Sequence, residues 1–217
     1  MTSNVRAFPG WIKRTSFTPS DGTLIRVLPR DPRAYGDDRD PRPISSAAYN
    51  RGVSVADHRK TAVTSVRCSV LTISDTRSEE TDLSGRAIVE LLEAAGHRVD
   101  KRAIVKDDPR DVRLRVEAQL GAIDAIITTG GTGITSRDTT YEAIEKLIDK
   151  RLDGFGELFR TLSYQEIGSA AMLTRATAGV ARRTAIFMLP GSEHAVRLAM
   201  TKLIVPELGH VVRELRR

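Results

Sequence analysis

The stretch AIITTGGTGITSRDTT, residues 125–140, decides the fold because it holds a strand, a glycine-rich turn and a helix start in series. Its apolar opening predicts a short buried strand, and the threonines at its end predict the first turn of a helix. Glycine tolerates positive φ and close backbone approach, so successive N–H groups of such a turn can point at one anion. Alternatively, the glycines serve only the turn, since short glycine motifs are weak evidence of binding. The predicted phosphate-binding residues are Thr129, Gly130, Gly131, Thr132 and Gly133.

Apolar strands and amphipathic helices alternate on both sides of this stretch, from about residue 66 to the C-terminus. Strand, helix and strand in alternation predict an α/β fold, with a parallel sheet covered by helices on both faces. Residues 170–178 are predicted to form a short helix or an irregular crossover. The other predicted strands cover residues 67–73, 97–105 and 184–189.

Capping residues mark several helix boundaries. Ser84 is predicted to be the N-cap of a helix over residues 85–95. Asp108, followed by proline, predicts the start of the next helix. Ser192 is predicted to cap the last helical region, in which Pro206 introduces a kink or begins a second helix.

Four polar loops directly follow predicted strands. Because the carboxyl ends of parallel strands meet at one edge of a sheet, we expect these loops to converge on one rim. Open α/β sheets bind their ligands at that edge. The loops are Ser74-Asp75, Asp107-Asp108, the glycine turn as far as Asp138, and Pro190-Gly191-Ser192.

The residue types in these loops favour metal-assisted phosphate chemistry. The glycine turn lacks the lysine of a Walker loop, and the chain lacks the dinucleotide-binding GxGxxG pattern. An aspartate beside a phosphate is repelled unless it holds a cation, and Mg²⁺ prefers a few carboxylates with phosphate and water. Asp107 and Asp138 are therefore predicted to hold Mg²⁺ and to act in phosphoryl or nucleotidyl transfer. Alternatively, Asp107 is a capping residue and Asp138 a solvated loop residue.

Other candidate groups carry a weaker signal. The four histidines are far apart and lack metal-ligand spacing. Cys68 lies inside a predicted strand, which favours packing over nucleophilic chemistry. Glu157 belongs to residues 154–167, predicted to be a helix or a helix with an internal turn. Glu157 is either an active-site carboxylate or a surface residue, and spacing does not distinguish the two.

Composition and charge describe an ordinary globular chain with a basic N-terminal segment. Of 217 residues, 40% are hydrophobic and 29% charged, and the net charge is +6. Residues 1–60 hold 11 lysines and arginines against six aspartates, so most of the excess lies there. We predict a disordered basic extension at residues 1–61 and a folded domain at residues 62–217. The charge distribution disfavours nucleic acid as a partner.

The cellular compartment is predicted from the lack of membrane-spanning, secretory and disulfide signals in the sequence. No apolar run reaches the roughly 20 residues of a membrane helix, and no secretory signal is recognisable. A single cysteine excludes an internal disulfide. A cytoplasmic protein without a membrane partner is therefore expected.

Several motifs together resemble the MoaB/MogA family of molybdenum cofactor biosynthesis. TTGGTGITSRD followed by TYEA resembles that family's signature, and LTISD, DLSG, GFGELFRTLSYQEIG and LPGS occur in the family's order. The resemblance covers about residues 64–212, and the GFGELFR and SYQEIG segments are more similar to the MoaB branch. Tyr141 stands where the family often has proline, which affects the helix start more than the chemistry.

The resemblance implies a three-layer α/β/α domain with a mostly parallel sheet, assembled as a homotrimer or homohexamer. It implies Mg²⁺-dependent adenylylation of molybdopterin by ATP with release of pyrophosphate, and other enzymes of the pathway as partners. The family's catalytic aspartates fall on Asp107 and Asp138. The substrate- and nucleotide-binding positions fall on Ser74, Asp75, Asp82, Ser84, Gly85, Thr129, Gly130, Gly131, Thr132, Gly133, Pro190, Gly191 and Ser192, with Glu157 as a further candidate.

Two other functions remain open from the sequence. The first is a non-catalytic oligomer that binds molybdopterin as a scaffold or carrier. The second is hydrolysis of a nucleotide diphosphate, as in the related domain of competence-damage proteins, which the GGTG and SRD segments fit less well.

Overall fold

A computed structural model of the chain describes residues 62–135 and 139–217. The predicted extension at residues 1–61 lies outside the described residues. So does Asp138, together with the two residues before it. The predictions made for these positions therefore stay predictions.

In the part of the chain that the structure describes, six strands form one mixed sheet. They are β1 (Arg67–Ile73), β2 (Arg98–Val105), β3 (Ala125–Gly130), β4 (Lys150–Arg151), β5 (Thr177–Ala181) and β6 (Thr184–Leu189). Their order across the sheet is β2-β1-β3-β6-β5-β4. The four strands predicted from the sequence are parallel neighbours, whereas β5 runs antiparallel to β6, and β4 antiparallel to β5.

Within the described residues, six α-helices connect or follow the strands. They are α1 (Leu83–Ala94), α2 (Pro109–Glu117), α3 (Thr140–Glu145), α4 (Asp153–Ile167), α5 (Glu193–Ala199) and α6 (Val205–Leu215). A 3₁₀ segment, Gly168–Leu173, follows α4, and a π-helical turn, Met200–Ile204, joins α5 to α6 immediately before Pro206. No helix in the described part of the chain has the length and apolar character needed to cross a membrane.

Two hydrophobic cores lie on opposite faces of the sheet. Alternate strand residues face opposite sides, so Val70 packs in one core while Leu71 packs in the other. The first core lies under α1, α4, α5 and α6, and contains Phe159 and Ile88. The second lies under α2 and α3, and contains Val112. The predicted α/β class with helices on both faces is therefore confirmed.

One local prediction was wrong, and another was right only in part. The N-cap of α1 is Asp82, whose side chain accepts from the Gly85 N–H, and Ser84 lies inside the helix. Residues 170–178 were expected to form a short helix or an irregular crossover. The 3₁₀ segment that ends at Leu173 agrees with this prediction, but Thr177 and Ala178 belong to strand β5. Pairing of β5 with β6 satisfies its backbone groups and overrides its weak local signal.

Candidate functional site

The glycine turn leaves β3 in a conformation that requires glycine. Gly130 and Gly131 have φ of +92° and +64°. A Cβ on Gly130 would lie 2.2 Å from the carbonyl oxygen of Ile73 in the neighbouring strand. Among the described residues, no acceptor is hydrogen-bonded to the amides of Gly131, Thr132 or Gly133. These N–H groups are therefore available to an anion.

The loop at residues 190–192 lies against the glycine turn. The Thr129 hydroxyl donates to the Pro190 carbonyl at 2.9 Å. The Ser84 hydroxyl donates to the Gly191 carbonyl at 2.8 Å. A Cβ on Gly191 would lie 3.5 Å from the Cα of Gly130. The structure thus brings two of the predicted rim loops into contact.

Asp82 helps to position the loop at residues 190–192 through Arg77. Its carboxylate is completely buried and accepts from the Gly85 N–H at 2.9 Å and the Thr72 hydroxyl at 2.8 Å. Arg102 donates to the same carboxylate at 3.0 Å. Arg77 lies 3.6 Å from Asp82 and donates to the Gly191 carbonyl at 2.5 Å. Asp82 therefore positions the loop and cannot contact a ligand directly.

The predicted residues Gly85, Ser74 and Ser192 also have local structural contacts. A Cβ on Gly85 would lie 2.1 Å from the Asp82 carboxylate, so glycine is needed for this packing. The Ser74 hydroxyl accepts from the Arg77 N–H at 3.2 Å and shapes the loop after β1. Ser192 is confirmed as the N-cap of α5, because it accepts from the backbone N–H three residues later.

The two loops form one wall of a cavity of about 430 Å³, here called the loop cavity. Residues 130–133 and 190–192 supply this wall. Phe159, Ser163 and Ile167 of α4 line the cavity as well. The loop cavity therefore combines backbone donors with an apolar surface, which is common in sites for organic phosphates.

Asp107 is held by the helix that follows the glycine turn. The buried Thr140 hydroxyl donates to Asp107 Oδ1 at 2.5 Å. The Asp107 N–H donates to Asp75 Oδ1 at 3.1 Å, which places two carboxylates at adjacent loops. A Cβ on Gly131 would lie 3.1 Å from the Thr140 methyl group. Asp107 and Asp75 therefore lie at the same rim as the glycine turn.

The donor set near Asp107 suits a magnesium ion. Asp75 and Asp107 supply carboxylate oxygens, and Mg²⁺ in such sites needs only one or two carboxylates besides phosphate and water. No cluster of three or more acidic, histidine or cysteine side chains occurs within residues 62–135 and 139–217. Among the described residues, the carboxylates of Asp75 and Asp107 are therefore the candidate magnesium ligands at this rim.

Glu157 does not line the loop cavity. It lies in a second cavity of about 350 Å³, here called the side cavity, which borders α4. Thr174 lines both cavities, so the two are adjacent. Helix α4 is continuous from Asp153 to Ile167, which decides between the two predicted forms of this segment.

Some residues that shape the site were missed by sequence reasoning. Arg175 donates from Nε to the Thr132 carbonyl at 3.1 Å, and its guanidinium lies 4.5 Å from the centre of the Tyr141 ring. Arg77 donates to the Gly191 carbonyl in the loop at residues 190–192. Thr140 donates to the Asp107 carboxylate. The arginines bind backbone carbonyls of loops that are distant in the chain, so these contacts depend on the tertiary fold and leave no local sequence signal.

Cys68 is a core residue, as predicted. It is fully buried in β1. Burial raises the pKa of its thiol to about 12, and the negative charges of Asp124 and Asp100 add to this effect. The thiolate that nucleophilic chemistry needs is therefore not populated near neutral pH.

Comparison with known proteins shows the family to which the chain belongs. Residues 69–210 match the model of a family described as a probable molybdopterin binding domain. The chain is 57% identical over 166 residues to molybdenum cofactor biosynthesis protein B of Halalkalibacterium halodurans, covering 75% of this chain and 98% of that protein. It is 53% identical over 168 residues to the protein of that name in Bacillus subtilis, covering 76% and 99%.

Solved structures show the same fold. The tungsten cofactor synthesizing protein MoaB of Pyrococcus furiosus is 39% identical, with a TM-score of 0.65, covering 72% of this chain and all of that one. A MogA structure is 30% identical, with a TM-score of 0.62, covering 69% of this chain and 99% of that one. The chain therefore belongs to the MoaB/MogA family of probable molybdopterin-binding domains. Within that family its similarity to proteins named B places it on the MoaB branch, as the sequence motifs indicated.

Proposed function

We propose that this protein acts in molybdenum cofactor biosynthesis by binding molybdopterin and transferring AMP from Mg-ATP to its terminal phosphate. The observation that carries the proposal is the glycine turn. Its amides at Gly131, Thr132 and Gly133 are free among the described residues, and they border the loop cavity beside the Asp107 rim. Backbone N–H groups can bind one phosphate group. The neighbouring carboxylates can bind a cation that contacts two phosphate groups at once.

In the proposed reaction, a terminal phosphate oxygen of the pterin attacks the α-phosphorus of ATP. The bond between that phosphorus and the bridging oxygen of the β-phosphate breaks, and pyrophosphate leaves with the electron pair. The turn amides would hold and orient one phosphate, because a fixed array of donors lowers the cost of positioning. Ser84 and Arg77 both donate to the Gly191 carbonyl and so hold the loop at residues 190–192 in place.

Magnesium would be held by Asp107 and Asp138, with Asp75 as the adjacent carboxylate. When bound, Mg²⁺ supplies positive charge that neutralises the phosphates and orients the reacting groups. The Thr140 hydroxyl donates to Asp107 and fixes which oxygen faces the rim. This arrangement keeps the aspartate oriented before substrates bind.

The experiment follows pyrophosphate release from ATP and Mg²⁺ with and without molybdopterin. The proposal predicts pterin-dependent release that falls at least about a hundredfold in Asp107→Asn and in Asp138→Asn. The matched control is Asp111→Asn, which removes an exposed carboxylate from α2. Release that does not need pterin, or that survives both site substitutions, would contradict the proposal.

A non-catalytic pterin carrier is the alternative outcome of the same experiment. Tight molybdopterin binding without pyrophosphate release would support the carrier. The glycine turn would then still bind the phosphate of the pterin, but Asp107 and Asp138 would have no role in catalysis.

We also propose that the protein assembles as a homotrimer or homohexamer. Exposed apolar side chains on and after α4 support this proposal, because such patches on a soluble fold mark interaction surfaces. Leu158 is 56% exposed, Met172 79% and Leu173 57%.

A further inference from the structure

A cavity of about 210 Å³, here called the edge cavity, lies between helix α2 and strands β1 and β2 at the edge of the described sheet. It shares no lining residue with the loop cavity or the side cavity. The apolar part of its lining is Leu71, Ala103 and Ala118, and four polar residues complete it. The edge cavity is therefore separate from the candidate site at the glycine turn.

Two of the polar residues leave buried oxygen atoms unpaired. Ser69 of β1 is fully buried, and Gln119, two residues after α2, is 8% exposed. Within residues 62–135 and 139–217, the Ser69 hydroxyl and the Gln119 side-chain carbonyl have no hydrogen-bond partner. The Gln119 amide nitrogen donates to the Arg115 carbonyl at 2.8 Å, which leaves the side-chain carbonyl as the free acceptor. Because buried polar groups are rarely left unpaired, these two atoms indicate a polar occupant of the cavity.

A β-bulge in β2 brings a lysine to this cavity. Ser69 pairs with Lys101, and Asp100 is the extra residue of the bulge. Val99, before the bulge, packs against the first core, and Ala103, after it, packs against the second, although even spacing would place both on one face. Without the bulge, Asp100 would stand opposite Ser69, and an acid would replace the lysine. Bulges that re-aim side chains in this way are common beside functional sites.

The two remaining polar residues of the lining are cations. Among the described residues, Lys101 forms no ion pair and no side-chain hydrogen bond. Arg115 donates to Asp111 through Nε at 2.9 Å, and its terminal nitrogens contact no acceptor in the described part of the chain. Asp111 does not line the cavity. A water molecule can pair the two buried oxygens, but only an anion pairs the cations as well.

The four polar residues together select an oxyanion that carries a proton. Lys101, Arg115 and the Ser69 hydroxyl can donate to anionic oxygens. The Gln119 carbonyl can only accept, and the nearby carboxyl end of α2 carries partial negative charge. A fully deprotonated oxyanion would turn an oxygen toward this acceptor, whereas hydrogen phosphate can donate its O–H group to it. The volume is below the roughly 300–1,000 Å³ of sites for drug-sized ligands, which favours a small anion over a nucleotide.

We propose that the edge cavity binds inorganic hydrogen phosphate. Lys101, Arg115 and Ser69 donate to its oxygens, and Gln119 accepts from its O–H group. The doubly charged form of a phosphate ester lacks this O–H group, so the ligand is free phosphate. The site does not depend on the proposed transferase, because no residue of the glycine turn and neither Asp75 nor Asp107 lines it.

The test compares inorganic phosphate with sulfate by calorimetric titration of the full chain at slightly alkaline pH, where both anions are doubly charged. Phosphate should bind about tenfold more tightly or better, because sulfate leaves the Gln119 acceptor unpaired. Gln119→Met should remove most of this preference, since the acceptor is then absent. Equal affinities of the unchanged protein for the two anions would overturn the proposal.

Two further substitutions locate the phosphate. Lys101→Met and Arg115→Gln should each weaken phosphate binding about tenfold or more, because each removes a charged donor. Both side chains are exposed, so these variants keep the test decisive even if Gln119→Met does not fold. The matched control is Arg113→Gln, which removes another paired arginine of α2 that lies outside the cavity, and it should bind phosphate like the unchanged protein.

The same titrations distinguish the edge cavity from the glycine turn. Phosphate held only by the glycine turn would bind equally to the Lys101, Arg115 and Arg113 variants, and that result would overturn the proposal. No phosphate binding by the unchanged protein would also overturn it. Because neither ATP nor pterin is present, a failure of the pyrophosphate-release assay would leave this result intact.

Discussion

Asp82 is the residue that links the core of the fold to the site. Its buried carboxylate accepts hydrogen bonds from Thr72, Gly85 and Arg102. Burial alone would raise its pKa, but the hydrogen bonds from Gly85, Arg102 and Thr72, together with the charge of Arg102, lower that pKa below its ordinary value. The ionised form is therefore part of the folded structure.

The Asp82→Asn substitution is predicted to destabilise the protein by about 3 kcal/mol at pH 7. The amide would turn a donor toward the Thr72 hydroxyl or the Arg102 guanidinium and would leave the arginine charge unpaired. Because the pKa of Asp82 is lower in the folded than in the unfolded state, its stabilisation is present above the unfolded pKa of about 3.9. It is lost as the pH falls through the folded pKa.

Urea unfolding from pH 7 down to pH 3 measures this effect. The substituted protein should be less stable at pH 7 and should lose less stability on acidification than the unchanged protein. Equal free energies of unfolding at pH 7 would show that the Asp82 cluster does not stabilise the fold.

The Thr140→Val substitution is predicted to lower turnover about tenfold while the melting temperature stays nearly unchanged. Valine keeps the volume but removes the hydroxyl that donates to Asp107, so the aspartate loses its fixed orientation. The matched control is Thr139→Val, because the Thr139 side chain is exposed and makes no capping hydrogen bond. Equal turnover in the two variants would show that Asp107 does not depend on Thr140.

At the scale of elements, the sequence was most informative where apolar runs were long. Strands β1, β3 and β6 consist largely of buried residues and were predicted within a few positions. Strand β5 reads TAGVA, and its alanines and glycine carry little strand propensity. Its conformation depends on pairing with β6, which local sequence does not encode.

The sequence also predicted some parts of the candidate site and missed others. The glycine turn, the 190–192 loop and Asp107 could be placed at one rim because parallel strands share the edge at which they end. The contacts of Arg77 and Arg175 could not be predicted from the sequence, because both arginines bind carbonyls more than 40 positions away in the chain. The assignment of Glu157 to a separate cavity required the orientation of α4.

The Arg175→Met substitution is predicted to loosen the glycine turn. It removes the hydrogen bond to the Thr132 carbonyl and the contact with the Tyr141 ring. Amide hydrogen exchange in residues 130–135 should become faster, by about fivefold or more, because one bond of roughly 1 kcal/mol is lost. The control is Arg151→Met, which lines the same cavity but is paired with Glu145 and Asp153. Unchanged exchange after loss of Arg175 would contradict this role.

At the scale of the whole molecule, the sheet gathers distant segments at one edge, while an exposed apolar surface remains on α4. Light scattering on the full chain at micromolar concentration should give the mass of a trimer or a hexamer. The same measurement on a shortened protein beginning at Ala62 should give the same number of subunits, if the folded domain alone forms the interface. Leu158→Glu should lower that number, because it places a charge in the apolar surface. A monomeric unchanged protein would contradict the assembly.

The most direct test of the central claim is transfer of label from ATP carrying ³²P at the α-phosphate to molybdopterin in the presence of Mg²⁺. We predict labelled adenylylated pterin with the unchanged protein, together with one unlabelled pyrophosphate for each label transferred. Asp107→Asn should give little of either product. Pterin that binds to the protein and stays unlabelled while ATP is intact would contradict the proposed transferase.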